Sequence, residues 1–184
     1  VRTKVLTQAD ASEIVTLEEA MEHSRITDSY DELVIQGCLD AAHDLVQQWL
    51  NRKLTLTTIV GQIIDFRSRI TLPFPPIHSV ASLTAEDSSH KTVTLTEDVD
   101  WKFDSISESI RFLTDCSMYS NFEFNYSAGY TDYKDVPKAI RHAIKMTFAT
   151  LYENREDVVI GTQVNELPLT AKRLINSHRV LSRT

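Results

Sequence analysis

The sequence predicts an α+β fold, in which N- and C-terminal helices form a bundle and a β-rich lobe lies between them in the chain. Three observations predict it. Apolar residues recur in steps of three and four through residues 30–51 and again through 137–152. The interval 54–127 is instead β-branched and alternating. Pro73, Pro75 and Pro76 fall within four residues inside that interval, where they forbid both helix and central strand.

The elements follow in order. Residues 1–14 are polar without a sustained period and read as an N-terminal arm. Thr16 is placed to cap a short helix over 16–25, with Glu19 at the reciprocal capping-box position. Asp28 precedes a longer helix over 30–51, whose stripe includes Leu33, Val34, Cys38, Leu39, Ala42, Leu45, Val46, Trp49 and Leu50. Strand residues begin near Leu54 and run to Val60; Gly61 is a candidate bulge before Ile63 and Ile64. Leu72-Pro73-Phe74-Pro75-Pro76-Ile77 reads as a rigid connector with Phe74 and Ile77 packed down. Val80–Thr84 and Thr92–Leu95 pair as a hairpin, and Trp101–Phe103 pairs with 109–113. Asn121–Tyr126 alternates with period two and ends at Gly129. Pro137 opens the helix over 137–152, and Pro168 opens a last helix over 168–177, followed by a tail at 178–184. The domain organisation expected is one domain over 15–177, with its β-rich lobe at 54–127.

Composition narrows the function. The 184 residues carry 19 Lys and Arg against 26 Asp and Glu, a net charge of −7. An acidic chain is poorly suited to gripping nucleic acid by its phosphates. The whole excess lies in residues 1–50, while Lys172, Arg173, Arg179 and Arg183 stand without an acid in the last thirteen residues. An acidic front and a basic tail suit a protein that stacks with copies or partners, and equally suit solvated surfaces. No apolar run approaches the roughly 18–20 residues of a membrane-spanning helix, so no membrane partner is expected. The opening Val1-Arg2-Thr3-Lys4-Val5 is not followed by an apolar stretch of signal-peptide length. Two cysteines make no disulfide framework, and a reducing cytoplasm is the expected setting.

Catalytic signatures are absent from the sequence. Four glycines form neither a phosphate loop nor a dinucleotide fingerprint. There is no Gly-x-Ser-x-Gly, no Cys-x-x-Cys and no His-Glu-x-x-His, so no cofactor or metal is expected. Cys38 and His43 are five residues apart, off the spacing that stacks side chains on a helix; Cys38 reads as a buried apolar cysteine and Cys116 as a loop thiol. Glu18/Glu22 and Asp40/Asp44 are carboxylate pairs four apart, read as a solvated face or a subunit contact. Asn125-Tyr126-Ser127 matches a glycosylation acceptor inside a strand, by chance.

The order of segments resembles one family. Val15-Thr16-Leu17-Glu18-Glu19-Ala20 is similar to the opening helix of the head–tail connector (adaptor) proteins of long-tailed double-stranded DNA bacteriophages. The helix ending Trp49-Leu50-Asn51-Arg52-Lys53-Leu54 resembles their second, and Leu72-Pro73-Phe74-Pro75-Pro76-Ile77-His78-Ser79-Val80 their passage into the β region. Tyr126-Ser127-Ala128-Gly129-Tyr130 with Val136-Pro137-Lys138-Ala139-Ile140 resembles their strand-to-helix junction, and Leu151-Tyr152-Glu153-Asn154-Arg155-Glu156 with Gly161 their helix end and loop. The resemblance spans residues 15 to 180 and leaves the N-terminal arm without a counterpart.

The resemblance implies a structural virion protein without catalysis. It implies a ring, commonly of about twelve copies, beneath a portal protein, with a stopper or tail-completion protein on the opposite face. Genomic DNA would pass through without sequence-specific binding. The expected location is the virion's head–tail junction, reached from the host cytoplasm during assembly. On that reading His178, Arg179, Val180, Leu181 and Arg183 form a portal-binding tail that orders on contact. Glu18, Glu22, Asp31, Asp40 and Asp44 face a neighbouring subunit or the channel, and Glu153, Arg155, Glu156 and Asp157 form a subunit-contact loop. The alternatives are a stopper or tail-completion protein, a small thiol enzyme using Cys38 or Cys116, and a cytoplasmic binding module.

Overall fold

The computed structural model describes residues 1–8, 14–27, 32–154 and 167–181. The chain divides into a sheet unit (Val1–Ala9 and Thr55–Tyr130) and a helical unit (Asp10–Leu54 and Thr131–Thr184).

The sheet unit contains all eight strands found among the described residues. β1 (Arg2–Gln8), β2 (Thr57–Ile63), β4 (Ile77–Glu86), β5 (Thr92–Leu95) and β8 (Ser120–Ala128) form an antiparallel sheet in the order β1-β2-β8-β4-β5. β3 (Arg69–Thr71), β6 (Trp101–Asp104) and β7 (Ser109–Phe112) form a second sheet in the order β3-β7-β6. The two sheets share one core. Phe122, Phe124 and Tyr126 of β8 alternate inward with no exposed surface. Ile59, Leu83, Trp101, Ile110 and Phe112 close around them. Burial pushes the Tyr126 phenol well above its ordinary pKa, and its Oη donates to the Pro73 carbonyl at 3.1 Å. Trp101 Nε1 donates to the Leu95 carbonyl at 3.0 Å, so the polar tips of Tyr126 and Trp101 both have a partner.

Several local expectations meet corrections here. Gly61 is no bulge. It pairs in register with Phe124, and a Cβ at this position would run into the Phe124 ring. Register shifts lie instead in the β1–β2 pairing, at Val5/Thr7, and in the β4–β8 pairing, at Ile77/Ser79, Val80/Ser82 and Thr84/Glu86. The first two shifts of β4 explain why its buried residues, Ile77, Val80, Leu83 and Ala85, are spaced three, three and two apart. The proline segment is the β3-to-β4 connector, with Pro75 and Ile77 buried, Phe74 packed on the core and a cis bond between Pro75 and Pro76. Residues 2–8, expected as an arm, are strand β1. All seven of these residues are exposed, so no burial imposes an alternation. β3 had no predicted counterpart; it has three residues and buries only Ile70. The cysteines exchange roles: Cys116 is 1% exposed in the sheet core, and Cys38 is only half-buried.

The helical unit holds α1 (Leu17–His23), α2 (Glu32–Leu50), α3 (Lys138–Glu153) and α4 (Leu169–Ile175), with a short 3-10 turn at Tyr133–Asp135 and another at Asn176–His178. α3 packs against each of the other three helices. Its stripe Ile140, Ala143, Ile144, Thr147 and Phe148 is buried, as are Ile35, Leu39, Ala42, Val46 and Leu50 of α2 and Ala171 and Ile175 of α4. The expected cap at Asp28 lies outside the described residues.

Gly61→Ala is predicted to destabilise the protein by about 1–3 kcal/mol in urea unfolding, the range for overpacking a tight core. In a Phe124→Leu background the same change should cost measurably less, because the two sites share one contact. An equal cost in both backgrounds would contradict this packing.

Candidate interaction surfaces of the helical unit

α1 begins where Thr16 Oγ1 accepts the Glu19 backbone N–H at 3.1 Å. The reciprocal half of the capping box is not used. The Glu19 carboxylate instead accepts from Arg141 Nη2 at 3.0 and 3.1 Å and pairs with Lys145 Nζ at 3.3 Å. Arg141 and Lys145 are one turn apart on α3, so a single half-buried carboxylate bridges two cations. Arg141 Nε also donates to the Ile14 carbonyl at 3.0 Å, and its guanidinium lies 5.6 Å from the Tyr133 ring centre. Thr16, Glu19, Thr131, Asp132, Tyr133 and Arg141 line a cleft of about 500 Å³. Its charged groups are engaged: Glu19 holds Arg141, and Asp132 Oδ1 accepts the Lys134 backbone N–H at 2.8 Å.

Beside this pair the His23 and His142 rings meet edge to face at 5.5 Å. Burial, then the charges of His142 and Lys145, hold the His23 imidazole below its ordinary pKa of 6.5. The sequence singled out neither the Glu19 network nor the histidine pair. Its one signal was Arg141 and Lys145 at helical spacing beside an apolar stripe.

The described part of the tail folds back onto its own chain. Val180 N donates to the Leu50 carbonyl at 2.9 Å, satisfying one of the open acceptors at the end of α2. Asn51, at φ 51°, donates from Nδ2 to the Val180 carbonyl at 3.0 Å, and Arg52 Nε donates to the His178 carbonyl at 2.6 Å. The Arg179 guanidinium lies 4.9 Å from the Trp49 ring centre. Residues 178–181 are thus held by contacts within their own chain, and Leu181 is 74% exposed. Arg183 lies outside the described residues.

Of the acidic candidates, Glu18 and Glu22 are exposed on α1, and Asp40 and Asp44 on α2. Asp40 Oδ1 accepts from Gln36 Nε2 at 2.8 Å. Asp44 opposes the burial that lowers the Lys53 pKa. Asp31 lies outside the described residues, as do Arg155, Glu156 and Asp157 of the expected contact loop; Glu153 is exposed at the end of α3. Among the described residues no three of His, Cys, Asp and Glu are placed to hold a metal ion, and no helix is long and apolar enough to cross a membrane.

The sheet unit carries a cationic row that periodicity alone did not reveal. Arg69, Arg111 and Lys102 are cross-strand neighbours on the exposed face of the β3-β7-β6 sheet. The outer two are paired, Arg69 with Asp104 at 3.3 Å and Lys102 with Asp98 at 3.1 Å. Hydrogen bonds from Ser107 hold the Asp104 carboxyl below its usual pKa, with smaller help from Arg69. Two of three cations are thus answered locally, which weakens the row as a phosphate-binding strip.

Two outcomes are predicted. Glu19→Gln should lower unfolding stability by about 1–2 kcal/mol, since it removes charge from a half-exposed pair of contacts. Because His23 takes up its proton less readily when folded, the unfolded chain binds more protons as pH falls past about 6.5. Stability should therefore drop between about pH 7.5 and about pH 5.5, and His23→Gln should flatten that drop in urea titrations at the two pH values.

No family model and no curated protein matches the sequence. Solved structures do match in fold. A chain from the neck of an empty gene transfer agent (GTA) particle, computed with C6 symmetry, superposes at TM-score 0.75 with 18% identity, over 100% of this chain and 98% of that one. A chain from the virion of a native GTA particle superposes at 0.74 with 17% identity over the same shares. A chain from the neck of a native GTA particle, computed with C12 symmetry, superposes at 0.73 with 18% identity, again over 100% and 98%. The fold is thus shared with these GTA neck and virion chains along the full length, in line with the connector resemblance in the sequence.

Proposed function

We propose that the chain is a structural neck protein of a phage-like particle: a head–tail connector whose copies form a ring between a portal protein and a stopper or tail-completion protein. The observation that carries this reading is the full-length match in fold to neck and virion chains of GTA particles, two of them from necks computed with sixfold and twelvefold symmetry. The residues support it. Glu19 of α1 engages Arg141 and Lys145 of α3, as in a scaffold. The net charge of −7 suits a channel that lets DNA slide rather than holding it. On this reading the protein is not an enzyme, and it resides in the virion after assembly in the host cytoplasm.

The tail remains the proposed portal contact, in a changed form. Residues 178–181 are prearranged against the end of α2, so binding there carries little ordering cost, and Leu181 with Arg179 forms an apolar and cationic tip. The proposed loop contact through Glu153, Arg155, Glu156 and Asp157 stands as a second subunit surface.

Native mass spectrometry across a concentration series tests the reading. A closed ring of about twelve copies is expected. A discrete dimer, or an open-ended ladder of sizes, would contradict it. Arg179→Glu should weaken capture by the portal protein encoded with the particle by about tenfold or more, as for a charge reversed at an interface. Unchanged capture would remove the tail from the portal contact.

A further inference from the structure

Two outward faces of the helical unit have exposed apolar residues and opposite charge. On α2, Leu33, Gly37, Asp40 and Asp44 follow one another in steps of four, three and four, so they share one face. Leu33 is 90% exposed, and its neighbour Val34 is 46% exposed. A Cβ built on Gly37 would meet nothing within 4 Å, so a second helix can approach this backbone closely. α2 carries Glu32, Asp40 and Asp44 and no Lys or Arg. On α4, Leu169, Thr170, Arg173 and Leu174 are exposed, with Leu169 at 64% and Leu174 at 40%. Residues 167–181 contain Lys172, Arg173 and Arg179 and no Asp or Glu.

Each face therefore has apolar side chains beside charges of a single sign, and the signs are opposite. An interface with apolar contacts at its centre and charges at its rim needs that pair of surfaces. A head-to-tail ring needs two different faces on one chain that fit each other. We propose that the α2 face of one copy is covered by the α4 face of the next copy, with Leu33 and Val34 against Leu169 and Leu174, and Asp40 and Asp44 against Arg173. This proposal rests on the ring reading above and names the contact that would build it. The occupant is a second copy, because the complementary surface is present on the same chain.

A charge exchange tests the contact. One variant carries Asp40→Lys and Asp44→Lys; the other carries Thr170→Glu and Arg173→Glu. All four positions are exposed, and circular dichroism with urea unfolding checks that both variants fold. Alone, each variant brings like charges together at every joint. The concentration needed for assembly, read by mass photometry, should rise by about tenfold or more. Mixed in equal amounts, the two variants restore opposite charges at both kinds of joint, so a ring of alternating copies should return near the wild-type concentration. Variants that assemble as the wild type does would overturn the contact and leave the ring reading standing. Variants that fail alone and also fail when mixed would overturn the pairing of these two faces. A wild-type chain that never self-associates would overturn the ring reading itself, and this contact with it.

Discussion

Phe122, Phe124 and Tyr126 project from β8 to the same side, fully buried, and the sheet unit is arranged around that row. β8 is the central strand of its five-stranded sheet, hydrogen-bonded on one edge to β2 and on the other to β4, so it cannot shift without moving both neighbours. A one-residue slip would turn three aromatic rings outward, which makes the register strongly specified. The requirement spreads from there. Gly61 must lack a side chain because Phe124 lies opposite it. The bulges of β4 let its apolar residues meet the row despite uneven spacing. Gly129 ends β8 at φ 106°, with no room for a Cβ against the Thr55 carbonyl.

In the helical unit α3 has the corresponding place. It buries an apolar stripe and offers Arg141 and Lys145 to Glu19 beside it. The end of α2 is closed by the tail through Leu50, Asn51 and Arg52. The unit thus caps the start of α1, closes the end of α2 and pairs Glu19 with Arg141 and Lys145 internally, and leaves exposed apolar residues on α2 and α4. A surface of that kind suits a permanent building block: what is rigid is settled within the chain, and what is exposed is available to other chains.

Much of this was legible in the sequence, for identifiable reasons. α3 and β8 have strong periods because each buries one face, and Pro137 and Gly129 mark boundaries by backbone geometry; α2 was legible as a helix, but Leu33 and Val34, expected on its stripe, are exposed and Ile35 is buried instead. β1 was illegible because both its faces are exposed, so it leaves no alternation. Gly61 was misread because a glycine that makes room for a ring looks the same in sequence as one at a bulge. Cys116 follows a polar Asp115, and only the packing of two sheets shows that its thiol is in the core. The Glu19–Arg141 pair joins residues 122 positions apart, beyond the reach of any local pattern. The charge asymmetry between the first fifty residues and the last thirteen was visible from the start. The exposed face of α2 that carries Asp40 and Asp44 was legible from their spacing, whereas the exposed apolar residues beside Arg173 on α4 were not.

The central claim is that copies of this chain close into a ring with an open axial channel. Cryo-electron microscopy of the assembled protein tests it most directly. The account predicts annular projections with rotational symmetry and, in the reconstruction, α2 of each copy lying on α4 of the next. A compact particle with no axial opening, or copies joined through any other pair of helices, would contradict it.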